Sequence, residues 1–205
     1  MQPNYGLCEF KLEARAKGIE IWRQLSGLHS IPIDKQYITL CNLQDPDCDG
    51  SEIVQLKKME VISSYSQFVG IDRDQQIIDR NENWIPDATW ICGEWTDAIR
   101  KINNFNPALI YLDLTSLVCS ESVLDIIDST LHRCPKNTVI LINVMINNPY
   151  GSNFFDKEYI VDNLPKKVPP SEMAKWTSEV PNFTYNATGK TEMQTFAMFK
   201  KGLNK

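Results

Sequence analysis

Three short apolar runs in the middle of the chain each stop on an acidic residue: Phe68-Val69-Gly70-Ile71-Asp72, Thr89-Trp90-Ile91-Cys92-Gly93-Glu94 and Ala108-Leu109-Ile110-Tyr111-Leu112-Asp113. The acids recur about twenty residues apart with a helix-prone stretch between each pair, which is the period of a strand-helix unit. Such units stack into a parallel sheet, and ligands of open α/β sheets bind beyond the carboxyl ends of the strands. Asp72, Glu94 and Asp113 are therefore expected at the lip of one crevice.

The flanking sequence extends the alternation. Glu9 to Gly27 carries Ala14, Ile19, Trp22 and Leu25 at near-helical spacing and predicts an amphipathic helix, with Gly18 as the place where it would break. Tyr37 to Cys41 is the expected first strand, followed by an acidic loop from Gln44 to Gly50 and a helix from Ser51 to Ser64. Further helices are predicted over Arg73–Asn81, which Pro86 lies beyond, Thr96–Asn103 and Ser120–Arg133. Leu109–Leu112 is a near-continuous apolar run of the kind found in strands buried on both faces, and Thr138–Met145 is the most β-prone run in the chain. After Asn147 the pattern changes: a helix is predicted from Ser171, its cap, to Glu179, and Phe183–Asn186 and Met193–Phe199 form a hairpin around Thr188-Gly189-Lys190.

Composition narrows the function classes. With 205 residues and 42% hydrophobic content the chain suits one domain, in which residues 1–35 form a helical segment packed on an α/β core of residues 36–205. A net charge of -5 argues against broad attraction to nucleic acid. Six scattered cysteines without a Cys-x-x-Cys pair read as reduced thiols, and no apolar stretch has the length of a membrane span, so a cytoplasmic protein without membrane contact is expected.

Five β-α units followed by an antiparallel C-terminal hairpin resemble the class I S-adenosylmethionine-dependent methyltransferase fold, a three-layer Rossmann-like α/β architecture with a mostly parallel seven-stranded sheet. In that family the second strand ends in an acid that takes both ribose hydroxyls, and Val69-Gly70-Ile71-Asp72 has the family's wording; a carboxylate accepts two such hydrogen bonds at once. Arg73 follows it. The resemblance places Gly93-Glu94 near the adenine amino group, with Ile91 and Trp95 as a flat apolar wall, and Asp113-Leu114-Thr115 beside the methyl group and its acceptor, where Asp113 is the candidate catalytic residue. The implied cofactor is S-adenosylmethionine, and the acceptor is a nucleic acid or a small molecule. The family's Gly-x-Gly loop after the first strand is replaced by Cys41-Asn42-Leu43-Gln44-Asp45-Pro46-Asp47-Cys48-Asp49-Gly50, where Asn42, Asp45 or Asp49 would meet the cofactor's ammonium. Such a loop equally suits a domain that has kept the fold as a catalytically inactive binding or assembly module.

Other readings of the same residues stay open. Asp72, Glu94 and Asp113 can each cap the helix that follows. Asp45 to Gly50 matches the opening of a calcium loop, but the twelfth position is Leu56 instead of a bidentate Glu, so a solvated loop without metal is expected. Ribose 2'-O-methyltransferases use a Lys-Asp-Lys-Glu set, for which Lys17, Asp113 and Glu192 are in the right regions while strand five offers Asn143 instead of lysine. Asn147-Asn148-Pro149-Tyr150 reads as a turn, and the late lysines with Tyr150, Phe154, Phe155, Tyr159 and Trp176 suit either a solvated face or a single-strand surface.

Overall fold

A computed structural model describes residues 9–114, 120–146, 157–163, 168–177, 182–188 and 191–201. Thr115, the segment 147–150, the aromatics Phe154 and Phe155, and the turn residues 189–190 lie outside the described residues. In chain order the elements are α1 (Glu9–Ser26), β1 (Gln36–Leu40), α2 (Glu52–Lys58), β2 (Phe68–Asp72), α3 (Gln75–Trp84), β3 (Thr89–Cys92), α4 (Trp95–Lys101), β4 (Pro107–Leu114), α5 (Ser120–Arg133), β5 (Val139–Met145), α6 (Lys157–Asn163), α7 (Pro170–Met173), β6 (Trp176–Thr177), β7 (Phe183–Thr188) and β8 (Thr191–Lys200).

The sheet runs β3-β2-β1-β4-β5-β8-β6, with β7 also on β8. Strands β3 to β5 pair in parallel and β8 enters antiparallel beside β5. The short β6 pairs with Phe199 and Lys200 of β8, whereas β7 pairs with its Thr191–Thr195 half. Eight described strands therefore fill seven places across the sheet. The chain leaves β1 toward β2 on one side and reaches β4 on the other, so the topological switch point opens at the carboxyl end of β1.

Period-two alternation sorts the strand residues into two layers. Ile38, Ile71, Ile110, Leu112, Ile140 and Ile142 bury against α4 and α5. Tyr37, Phe68, Leu109, Tyr111, Val139 and Leu141 bury against α1 and α2 with the end of α3. Each fully buried side chain of this size contributes about 1.5–3 kcal/mol, and Trp22 and Phe196 are fully buried. Gly18 does not break α1; a Cβ there would lie 3.1 Å from Leu141 Cδ1, so its smallness lets the helix sit down on β5.

Two predicted helices are shorter than expected. α2 stops at Lys58 because Glu60 adopts a left-handed φ of 58°, and the amides of Glu60 and Val61 return to the carbonyls of Lys57 and Leu56, closing the helix as a glycine would. Val61 and Ile62 then enter the core. The helix expected over Ser171–Glu179 is a single turn over Pro170–Met173 that starts after Pro169 rather than at a Ser171 cap. Trp176 is drawn instead to the edge of β8, where Lys200 lies over its ring and Glu172 accepts its indole N–H.

Candidate functional site at the carboxyl ends of the parallel strands

Asp72 terminates β2 half-buried, and its Oδ1 accepts the backbone N–H of Asp74 at 2.8 Å. Burial pushes its carboxyl above the ordinary carboxylate value, against the pull of that N–H. The cap of α3 is Asp74, which takes the Gln76 N–H at 2.9 Å. Asp72 thus shapes the turn without being the helix cap.

Gly70, two residues earlier, has a packing cause. A Cβ there would meet Trp90 Cζ3 at 2.5 Å and Cys41 Sγ at 2.9 Å, so only glycine lets the indole of β3 lie across β2. Just after β3, Gly93 donates its N–H to the Asp72 carbonyl at 2.9 Å with φ 149°, a backbone state that favours glycine. Glu94 stands exposed at the N-cap of α4 without a side-chain cap bond, and Arg73 is exposed. Trp95 corrects the expectation of an adenine wall: it is 2% exposed and its indole N–H is given to Thr130 Oγ1 at 2.8 Å, which commits the ring to the α4–α5 core.

The glycine-poor loop after β1 is folded tightly. Buried Gln44 donates its backbone N–H to Asn81 Oδ1 at 2.8 Å and accepts the Ile53 N–H of α2 on its own side-chain oxygen at 3.0 Å. Asn81, fully buried on α3, also donates to the Asn42 carbonyl at 3.1 Å. Beside this loop lies a cavity of about 60 Å³ whose walls include Arg15, Asn42, Asp45, Glu52 and Asp113. Asn42, Asp45 and Asp113 of the expected residues line it. Asp72, Arg73, Gly93 and Glu94 do not; they sit at the ends of β2 and β3, on the neighbouring edge of the sheet. Among the described residues no group of three His, Cys, Asp or Glu is placed to hold a metal ion.

A buried polar array connects this cavity to α1. Arg15 Nη1 donates to Gln55 Oε1 at 2.8 Å, and Arg15 Nε lies 3.7 Å from Glu52 Oε1. Tyr37 donates its hydroxyl to the same Glu52 oxygen, and burial raises the pKa of that tyrosine well above its usual value. Burial also raises the Glu52 carboxyl, opposed by Arg15 and by the Tyr37 hydrogen bond. Burial by itself would lower the Arg15 guanidinium, but Glu52, with Tyr111, Tyr37 and Asp113 behind it, holds it above its ordinary value. At the end of β4, Asp113 receives Lys11 Nζ at 3.3 Å and Asn143 Nδ2 at 2.7 Å. Asn143, 1% exposed, also binds the Tyr185 hydroxyl at 2.8 Å and accepts from Thr195 Oγ1 at 2.9 Å.

The cation at Asp113 is Lys11; Lys17, the lysine of the Lys-Asp-Lys-Glu comparison, is exposed and paired with Glu13 at 2.8 Å. No protein-family model matches the sequence, and no curated protein matches it. Solved structures do. The N-methyltransferase NodS from Bradyrhizobium japonicum WM9 superimposes with a TM-score of 0.59 at 10% identity, covering 96% of this chain and 100% of that one. An rRNA methylase from Streptococcus thermophilus gives 0.53 at 11% identity over 88% and 94% of the two chains. The glycopeptide N-methyltransferase MtfA, complexed with S-adenosylmethionine, gives 0.57 at 6% identity over 95% of each. The chain has the class I methyltransferase fold.

Within that methyltransferase fold, sequence reasoning missed Lys11, Arg15 and Glu52. The signal was present: Lys11 and Arg15 continue, at spacings of three and four, the buried stripe formed by Gly18, Ile19 and Trp22 of α1, so two cations point where apolar residues would be expected. Glu52 has no comparable local mark, because its partners Tyr37 and Thr39 lie on β1.

Proposed function

We propose that this domain binds S-adenosylmethionine across the carboxyl edge of its sheet and transfers the methyl group to a nucleic acid or small-molecule acceptor. The observation that carries the reading is Asp72: a half-buried carboxylate at the end of β2, one strand from the switch point and tied through its backbone to the Gly93 turn. It suits a ribose diol, and Gly93-Glu94 beside it suits the adenine edge. Asn42 and Asp45 face the polar cavity at the end of β1 and suit the amino-acid end of the same molecule. The bound cofactor supplies an already activated methyl group, so the protein's task is proximity and orientation. Asp113, held by Lys11 and Asn143, is a fixed acceptor-positioning group at the end of β4.

Titration calorimetry tests this. S-adenosylmethionine is expected to bind the parent protein, and Asp72→Ala to weaken it about 10-fold or more. No heat with the parent, or an unchanged affinity for the variant, removes the reading. A second reading, an inactive binding module, is favoured by two observations: Gln44 already satisfies the α2 amide at Ile53, and the adjoining cavity is only about 60 Å³. It predicts no cofactor-dependent thermal stabilisation, whereas a ligand at a hundredfold its dissociation constant adds about 2.7 kcal/mol.

A further inference from the structure

The Arg15 side chain is 9% exposed, yet its Nε–H has no hydrogen-bond partner. The nearest Glu52 oxygen is 3.7 Å away, beyond hydrogen-bond reach, and that oxygen already takes the Tyr37 hydroxyl. A buried donor left unmade is rare in folded proteins and points to an absent acceptor. Arg15 lines the cavity at the end of β1, and the cavity's volume of about 60 Å³ holds a head group of a few atoms, not a nucleoside. Asn42, Asp45 and Asp113, groups that accept hydrogen bonds from a cation, line the same cavity, as does Glu52. The lining therefore offers both a guanidinium donor and carboxylates, the two chemistries that an α-amino acid zwitterion needs.

We infer that Arg15, projected from α1, anchors the carboxylate of the cofactor's amino-acid end, with Asp45 facing its ammonium. This rests on the cofactor reading above and adds to it the residue that does the work of the missing glycine-rich loop. Arginine suits the task because its planar fork matches a carboxylate. Glu52 is the charge partner of Arg15, but at 3.7 Å it leaves the Nε–H without a hydrogen bond. Because Arg15 belongs to α1, the helix that also brings Lys11 to Asp113, seating the amino-acid end holds that helix over the end of β4.

The test compares S-adenosylhomocysteine with its decarboxylated analogue, which differs only in lacking the carboxylate. The parent is expected to prefer S-adenosylhomocysteine by about 10-fold or more. Arg15→Gln is expected to abolish the preference by weakening S-adenosylhomocysteine while leaving the analogue within about twofold of the parent, since a single lost charge-assisted bond affects only the ligand that makes it. If the single variant does not fold, Arg15→Gln with Glu52→Gln removes the ion pair as a unit and is read the same way. Equal affinity of the parent for both ligands, or a preference that survives the loss of Arg15, overturns the inference and leaves the cofactor reading intact. A parent that binds neither overturns both.

Discussion

Replacing Gly70 by alanine tests why the second strand carries glycine two residues before its acid. The added Cβ would lie 2.5 and 2.6 Å from Trp90 Cζ3 and Cε3 and 2.9 Å from Cys41 Sγ. The indole cannot swing aside cheaply, because its Nε1 donates to the Ile85 carbonyl at 2.9 Å and its ring packs at 5.4 Å on Phe68. Overpacking of this kind costs about 1–3 kcal/mol, and the reduced freedom of the unfolded chain returns about 0.4–1 kcal/mol. The expected net loss is about 1–2 kcal/mol, read as a lower urea midpoint with unchanged slope. In a Trp90→Leu background most of the clash is gone, so the same Gly70→Ala change should then cost little, with a coupling energy of about 1 kcal/mol or more. Equal cost in both backgrounds would show that the indole is not what excludes a side chain at Gly70.

Three further outcomes are expected. Burial would raise the Glu172 carboxyl, but hydrogen bonds from Lys175, Lys200 and Trp176 outweigh it and hold it at about 2 against an ordinary 4.5. The stabilisation is therefore fully present above pH 4.5 and lost as pH falls through about 2. The linkage ceiling is about 3 kcal/mol, and screening leaves about 1–2 kcal/mol. Acid unfolding of Glu172→Gln should lack this part of the slope, and an unchanged profile counts against it. Asn143→Leu leaves the Asp113, Tyr185 and Thr195 groups without their shared partner, and should cost about 2–4 kcal/mol in urea unfolding. Glu60→Gly, at φ 58° after α2, should raise the melting temperature by relieving about 1 kcal/mol of left-handed strain, and a lower melting temperature would contradict the helix-ending role given to Glu60.

Much of the architecture was legible. Leu109–Leu112 read as a buried strand because both its faces are covered, Thr138–Met145 read as a strand from its β-prone composition, and α5 was read from Ser120 to Arg133 with the bounds it has. The misread elements had contrary tertiary partners. α2 ends at Lys58, closed by the left-handed Glu60, a residue with no breaker character, because Val61 and Ile62 are pulled into the core. Ser171–Glu179 has helical composition, but Trp176 gains more from the edge of β8 and the buried Lys200–Glu172 pair at 2.8 Å. Trp95 next to Glu94 looked like a ligand wall, yet the turn at Gly93 sends it inward to Thr130.

Local periodicity alone determined the strand-helix order, the acids at the ends of β2 and β4, and the antiparallel finish, because side-chain alternation is set by neighbours within a few residues. The tertiary structure alone decided that the loop before Gly50 is tied through Gln44 to Asn81, that Arg15 meets Glu52, and that Lys11 rather than Lys17 reaches Asp113. Lys11 and Asp113 are 102 residues apart, and contacts over such separations follow from how layers pack, which no short window of residues encodes.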